Sequence, residues 1–133
     1  VITPREYQDF TATTEAPPGL RVVERLSTVQ TVRLLHAAIG LATEAGELLD
    51  ALKKHIFYGK PLDCVNISEE LGDVLFYVGM GANALGEDMG QIMETNRAKL
   101  QARYGNKFSE TAALSRDLEA ERKILEGNPC GPC

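Results

Sequence analysis

Two stretches, Glu44-Ala45-Gly46-Glu47 and Glu70-Leu71-Gly72-Asp73, decide how this chain is read. Each sets two carboxylates three residues apart inside a run of helical periodicity. A three-residue step on an α-helix turns by about 300°, so both members of a pair share one stripe, one turn apart. Four carboxylates brought together repel one another unless cations lie between them. An all-oxygen ligand set suits Mg²⁺, Mn²⁺ or Ca²⁺ rather than zinc or copper. The pattern points to a hard-metal site between two helices.

Outward from these pairs the chain reads as helix almost throughout. Before the first pair, apolar residues recur at helical spacing from about Arg21: Val22, Val23, Leu26, Val29, Leu34, Leu35 and Ala38. The strongest stretch runs from about Val32 to Ile56, with Leu41, Ala45, Leu48, Leu49 and Leu52 as its apolar face. Gly40 and Gly46 each weaken that helix by about 1 kcal/mol relative to Ala, which suggests close approach of a neighbouring helix or a ligand. Gly59 and Pro61 end it.

Asn66 with Glu69 three residues on predicts a capping box at the start of the next helix, which would bury Leu71, Val74, Leu75 and Val78. Gly79, Gly81 and Gly86 mark its end. Glu87 and Asp88 suit the N-terminus of a further helix that reaches Arg103 or Tyr104 with Ile92, Met93 and Leu100 inward. Gly105-Asn106 breaks it. Ser109 then caps a last, highly charged helix through Leu125, and Gly127-Asn128-Pro129 ends the order. Pro4, Glu6 and Tyr7 can open a short helix, while Thr11 to Gly19, with Pro17-Pro18-Gly19, reads as loop. The expected organisation is an irregular segment over 1–20, a core over 21–108, a charged helix over 109–126 and a tail over 127–133. No strand alternation appears, so the expected fold is an all-α bundle of four to five helices.

At 133 residues the chain suits one core. A net charge of −5 argues against general nucleic-acid binding, though metals and local cations can still accommodate a small anion. No run approaches the roughly 18 apolar residues of a membrane span, and Val1-Ile2-Thr3-Pro4-Arg5-Glu6 lacks the basic start and apolar middle of a signal peptide. A cytoplasmic protein is expected. Cys130-Gly131-Pro132-Cys133 looks like a redox motif, but lacks the following helix that lowers a thiol pKa. It also supplies only half of a zinc site, so it reads as a tail, with Cys64 standing alone.

A second constellation is Asn96, Lys99 and Arg103, on one stripe with Tyr104 beside it. An amide, an ammonium and a guanidinium on one face can hold phosphate oxygens. A solvated basic face is the plainer reading of the same residues. Lys54, two turns beyond Glu47, is another phosphate candidate; Lys53 points about 100° away. His36 and His55 stand at no Glu-x-x-His spacing, which disfavours a ferritin-like metal-storage bundle. No Ser/His/Asp set, P-loop or dinucleotide fingerprint is present.

Together these residues resemble the all-α nucleoside triphosphate pyrophosphohydrolases, the MazG-like branch in particular. The resemblance lies in Gly40-Leu41-Ala42-Thr43-Glu44-Ala45-Gly46-Glu47-Leu48, Tyr58-Gly59-Lys60-Pro61-Leu62-Asp63, Glu69-Glu70-Leu71-Gly72-Asp73-Val74-Leu75-Phe76-Tyr77 and Asn96-Arg97-Ala98-Lys99-Leu100-Gln101-Ala102-Arg103-Tyr104. It covers roughly residues 30–108. It implies hydrolysis of a (deoxy)nucleoside triphosphate to monophosphate and pyrophosphate with Mg²⁺ or Mn²⁺. By position it makes Glu44, Glu47, Glu70 and Asp73 metal ligands. Lys54, Asn96, Lys99 and Arg103 become triphosphate contacts, with Tyr77 at the base pocket. It also implies a homodimer or homotetramer. Thr43 stands where many relatives carry a further Glu, leaving open which carboxylate orients the attacking water. Phosphoribosyl-ATP or dUTP/dCTP hydrolysis is the alternative within the fold. A non-catalytic helical partner of nucleotides or proteins is the alternative outside catalysis.

Overall fold

The computed structural model describes residues 1–17 and 19–127. Pro18 and the tail from Asn128 onward, including Cys130 and Cys133, lie outside the described residues. Those residues form seven helices and no strand: α1 Pro4–Thr14, α2 Leu20–Leu26, α3 Val29–Tyr58, α4 Cys64–Leu85, α5 Met89–Tyr104, α6 Glu110–Leu114 and α7 Leu118–Glu126. They fall into two compact units, Val1–Val32 and a second beginning at Arg33.

The first unit corrects the expectation of an irregular start. Thr3 and Glu6 close a capping box around Pro4, with the Thr3 amide donating to Glu6 Oε2 at 2.7 Å. The threonines expected to form a loop extend the helix instead. Thr11 and Thr13 turn their hydroxyls back onto the carbonyls of Gln8 and Phe10, each at 2.8 Å, which local bonding of this kind allows within a helix. The apolar periodicity from Arg21 onward does not continue unbroken. Thr28 Oγ1 accepts the Thr31 amide at 3.1 Å and starts a new helix there.

In the second unit α3 and α4 form an antiparallel pair, and small residues set their register. A Cβ placed on Gly40 would lie 2.2 to 2.4 Å from ring atoms of Tyr77, so the tyrosine ring occupies the space a side chain would need. One turn earlier on α3, a Cβ on Gly81 would meet the Ala37 Cβ at 3.7 Å. Position 37 therefore faces 81 and 40 faces 77; continuing by helical steps, 44 faces 73 and 47 faces 70. Gly40 is the close approach expected of a helix glycine, whereas Gly46 has nothing within 4 Å of its would-be Cβ.

The start of α4 differs from expectation. Asp63, not Asn66, is the N-cap, its carboxylate accepting the Asn66 amide at 3.1 Å. Gly59 (φ 65°) and Gly86 (φ 73°) end α3 and α4 in the left-handed region that a residue with a Cβ adopts only under strain. Asp88 caps α5 and Ser109 caps α6 as expected. The single C-terminal helix expected through Leu125 is two, because Asp117 caps a new start by accepting the Ala120 amide at 2.9 Å.

Burial departs furthest from the pattern-based expectation. The buried hydrophobics are the small Ala37, Ala82 and Ala84. Leu49, Leu71, Leu75, Met93 and Leu100, all expected inward, are exposed. Close helix approach brings Ala37 against Gly81, while these larger side chains remain open to solvent.

Two glycines separate these effects. Gly40→Ala should destabilise by about 1–3 kcal/mol through overpacking against Tyr77. Gly81→Ala, whose new methyl enters ordinary contact, should gain up to about 1 kcal/mol of helix propensity. Chemical denaturation of both variants checks the register; equal effects of the same sign would contradict it.

Candidate active site

The register carries the acidic pairs to one place. Carboxylate oxygens of Glu44, Glu47 and Glu70 lie within 4.8 Å of one another, two from α3 and one from α4. Glu70 is buried at 4% exposure, Glu44 is half-buried and Glu47 is exposed, so the cluster grades from the helix seam to solvent. Asp73, opposite position 44, stands outside this tightest group but adds to its field. The Glu44 carboxyl is pushed above its ordinary 4.5, first by desolvation, then by the charges of Glu47, Asp73 and Glu70. Thr43 partly offsets this by donating to Glu44 Oε1 at 3.4 Å while also reaching the Gly40 carbonyl at 2.9 Å. Where a further acid was absent from the sequence, the chain thus places a hydroxyl against the cluster.

Glu70 is tethered along its own helix. Asn66 Nδ2 donates to Glu70 Oε1 at 2.7 Å. The sequence-based reading assigned Asn66 to capping and so missed this contact; its signal is the i,i+4 spacing of an amide and a carboxylate. Converging carboxylates with oxygen donors alone fit a hard divalent cation. The cluster is able to hold one.

The cationic candidates are disposed differently. Lys54 and Lys53 share Asp50, at 2.8 and 2.7 Å, and the pair holds the Asp50 carboxyl down at about 2. Lys53, which is exposed, also lies over the Tyr58 ring, 5.9 Å from its centroid. Asn96 lines an open groove of about 620 Å³ along α5, together with Tyr104 and Phe108, whose ring centroids are 5.6 Å apart. Lys99 is half-buried on the same helix. Arg103 is engaged elsewhere: its Nε and Nη2 donate to the two Glu121 oxygens at 2.7 and 2.6 Å, joining α5 to α7, and Arg116 adds a third bond at 2.8 Å. Among the described residues, Asn96, Lys99 and Arg103 make no hydrogen bond or ion pair with the four carboxylates.

Tyr77 rests on Gly40, meets Phe76 edge-on at 5.3 Å and lies 6.0 Å from the exposed His36 ring. His55 sits at the end of α3, Nδ1 at 2.8 Å from the Lys60 carbonyl. Neither histidine joins the acidic cluster.

A helical hairpin that presents carboxylates from both arms toward one point defines an all-α protein with an acidic centre suited to a divalent cation. More particularly, the chain belongs to the MazG nucleotide pyrophosphohydrolase family: residues 32–108, more than half its length, match the MazG nucleotide pyrophosphohydrolase domain. No curated protein and no solved structure matches it. The matched span contains α4, α5 and all but the first turn of α3. Among the described residues no helix is long and apolar enough to cross a membrane.

The Arg103–Glu121–Arg116 group makes the seat of α7 sensitive to acid. Two guanidinium partners hold the Glu121 carboxyl at about 2, below its ordinary 4.5. Its contribution to docking α7 is therefore complete above about pH 4.5 and is lost as pH falls toward 2. Hydrogen exchange across that window should show α7 amides losing protection before those of α4. Glu121→Gln should weaken protection of α7 at neutral pH and remove this acid dependence. Unchanged α7 exchange in both experiments would show that α7 is held by other contacts.

Proposed function

We propose that the protein is a metal-dependent nucleoside triphosphate pyrophosphohydrolase. It would cleave (deoxy)nucleoside triphosphates to the monophosphate and pyrophosphate in the cytoplasm, as nucleotide-pool control or housecleaning. The observation that carries this reading is the convergence of Glu44, Glu47 and Glu70 within 4.8 Å across the α3–α4 seam of a MazG-family chain.

In this reading Glu44, Glu47, Glu70 and Asp73 hold Mg²⁺, with Mn²⁺ an alternative. When bound, such an ion neutralises phosphate charge and makes a coordinated water more acidic. The residues of the chain provide the rest. The desolvation and like-charge pressure on Glu44 make the cluster avid for positive charge. Lys54, Asn96, Lys99 and Arg103 supply hydrogen bonds to the triphosphate, stabilising the charge that develops on departing pyrophosphate. Lys54 and Arg103 begin with carboxylate partners, Asp50 and Glu121, so the substrate has to share or displace those acids. Tyr77, seated against Gly40, offers an aromatic face for the base.

The apolar residues left uncovered supply the case for assembly. In the second unit Leu49, Phe57, Leu75 and Phe76 are each more than half exposed, and exposed large apolar side chains in such number suit an interface. A second copy of the chain is the occupant, giving a homodimer or a homotetramer.

Incubation with a panel of nucleoside triphosphates and Mg²⁺ should release monophosphate and pyrophosphate, with Glu47→Gln and Asp73→Asn abolishing turnover. Loss of these groups should exceed the roughly 100-fold that removing an outer-shell partner costs, with helical circular dichroism unchanged. Full activity in either variant would refute the site. Sedimentation equilibrium should give a dimeric or tetrameric mass, shifted toward monomer by Phe76→Glu. A wild-type monomer would remove the second copy from the account.

A further inference from the structure

We propose that Asn66 is a positioning residue for Glu70, holding that carboxylate in orientation without reducing its charge. The inference rests on the reading of Glu70 as a metal ligand and adds a residue to which the sequence pattern gives only a capping role and the family match none.

Asp63 accepts the Asn66 backbone amide at 3.1 Å, so the N-terminal turn of α4 is already capped and does not need the Asn66 side chain. That side chain is committed instead to Glu70, one turn on, by the 2.7 Å bond from Nδ2 to Oε1. Asn66 is itself half-buried, and Glu70 is buried at 4% exposure. A buried carboxylate requires a hydrogen-bond donor. The identity of that donor matters for what the carboxylate can do.

A lysine or arginine in this place would also orient Glu70, but would cancel the negative charge that attracts a cation. An amide donates while remaining neutral. It occupies a lone pair of Oε1, leaves Oε2 free of this tether and preserves the full charge of the carboxylate. Outer-shell donors of this kind fix ligand direction, and their loss typically weakens metal binding or activity by about 10- to 100-fold.

The test is titration of the metal-free protein with Mn²⁺ alone, by calorimetry and by the spin-resonance signal of free Mn²⁺, in wild type, Asn66→Leu, Asn66→Gln and Glu70→Gln. Leucine keeps the approximate size of asparagine and is the better helix former, so a purely structural Asn66 predicts unchanged Mn²⁺ affinity and an equal or higher melting temperature. The positioning role predicts at least about 10-fold weaker Mn²⁺ binding in Asn66→Leu, with affinity largely restored in Asn66→Gln, whose longer side chain returns an amide to Glu70. Wild-type affinity in Asn66→Leu overturns the proposal. So does a loss that glutamine fails to restore, since packing rather than the amide would then be responsible. Glu70→Gln separates the two layers: if it binds Mn²⁺ as wild type does, the metal-site reading itself falls; if it loses the metal while Asn66→Leu does not, only the role of Asn66 falls.

Discussion

The contact on which the site depends is the seating of the Tyr77 ring in the space left by Gly40. It brings α3 and α4 together at one register, and an α-helix advances about 1.5 Å per residue. Positions 44 and 73 therefore meet about 6 Å beyond that contact and positions 47 and 70 about 10 Å beyond it. Any other register would move the acids of one helix away from those of the other. The contact also fixes a rotation, because a tyrosine can fill the place of a missing side chain only when that face of α3 points at α4. Ala37 opposite Gly81 repeats the same small-residue contact one turn away. Close packing of small groups is the force set against repulsion among the carboxylates beyond them.

Much of this was legible from residue types and spacing alone. The glycine-marked ends of α3 and α4 and the caps at Asp88 and Ser109 are local features, and local rules read them correctly; of the two acidic pairs, Glu44, Glu47 and Glu70 converge. Three other features required information that spacing does not contain. Asp63 and Asn66 each satisfy the residue preference for capping the same helix, and the choice follows from burial of Glu70, which claims the Asn66 amide. The bond between Arg103 and Glu121 spans 18 residues, so nothing in the arginine's own helix announces it. The apolar stripes were correctly seen as stripes, but periodicity tells which residues share a face and not whether the same chain covers that face. Large side chains on α3, α4 and α5 remain open for this reason.

The proposed function requires an acidic chain to recognise a polyanion, and the charge arrangement bears on how it would do so. Its net charge is −5, and the cations considered for phosphate contact do not form a free basic field. Lys54 is matched with Asp50 and Arg103 with Glu121. Each partnership favours the charged state of both members: Asp50 and Glu121 are held near 2, and the Lys54 and Arg103 values are raised. These side chains consequently remain ionised and oriented across the physiological range. An oriented cation loses less conformational freedom on meeting a phosphate than a solvated one, at the cost of having to exchange one anion for another. A triphosphate carries more charge than the carboxylate it would displace, which favours that exchange.

The carboxylate cluster has the opposite problem. No cation among the described residues forms an ion pair with Glu44, Glu47, Glu70 or Asp73, and the largest effect on Glu44 is desolvation, with three negative neighbours adding to it. Such a group can relieve the pressure by taking up a proton or by taking up a metal ion. A proton relieves one carboxylate; a divalent ion relieves several at once and retains positive charge toward the open side of the cluster. Glu70 is locked from below by a neutral amide and Glu47 lies open to solvent. The mouth of the seam is thus the side where a cation could enter and where an anionic substrate could reach the cluster only in a cation's company. Under the proposed function, metal and triphosphate would then be one binding event for the cluster, each making the approach of the other more favourable.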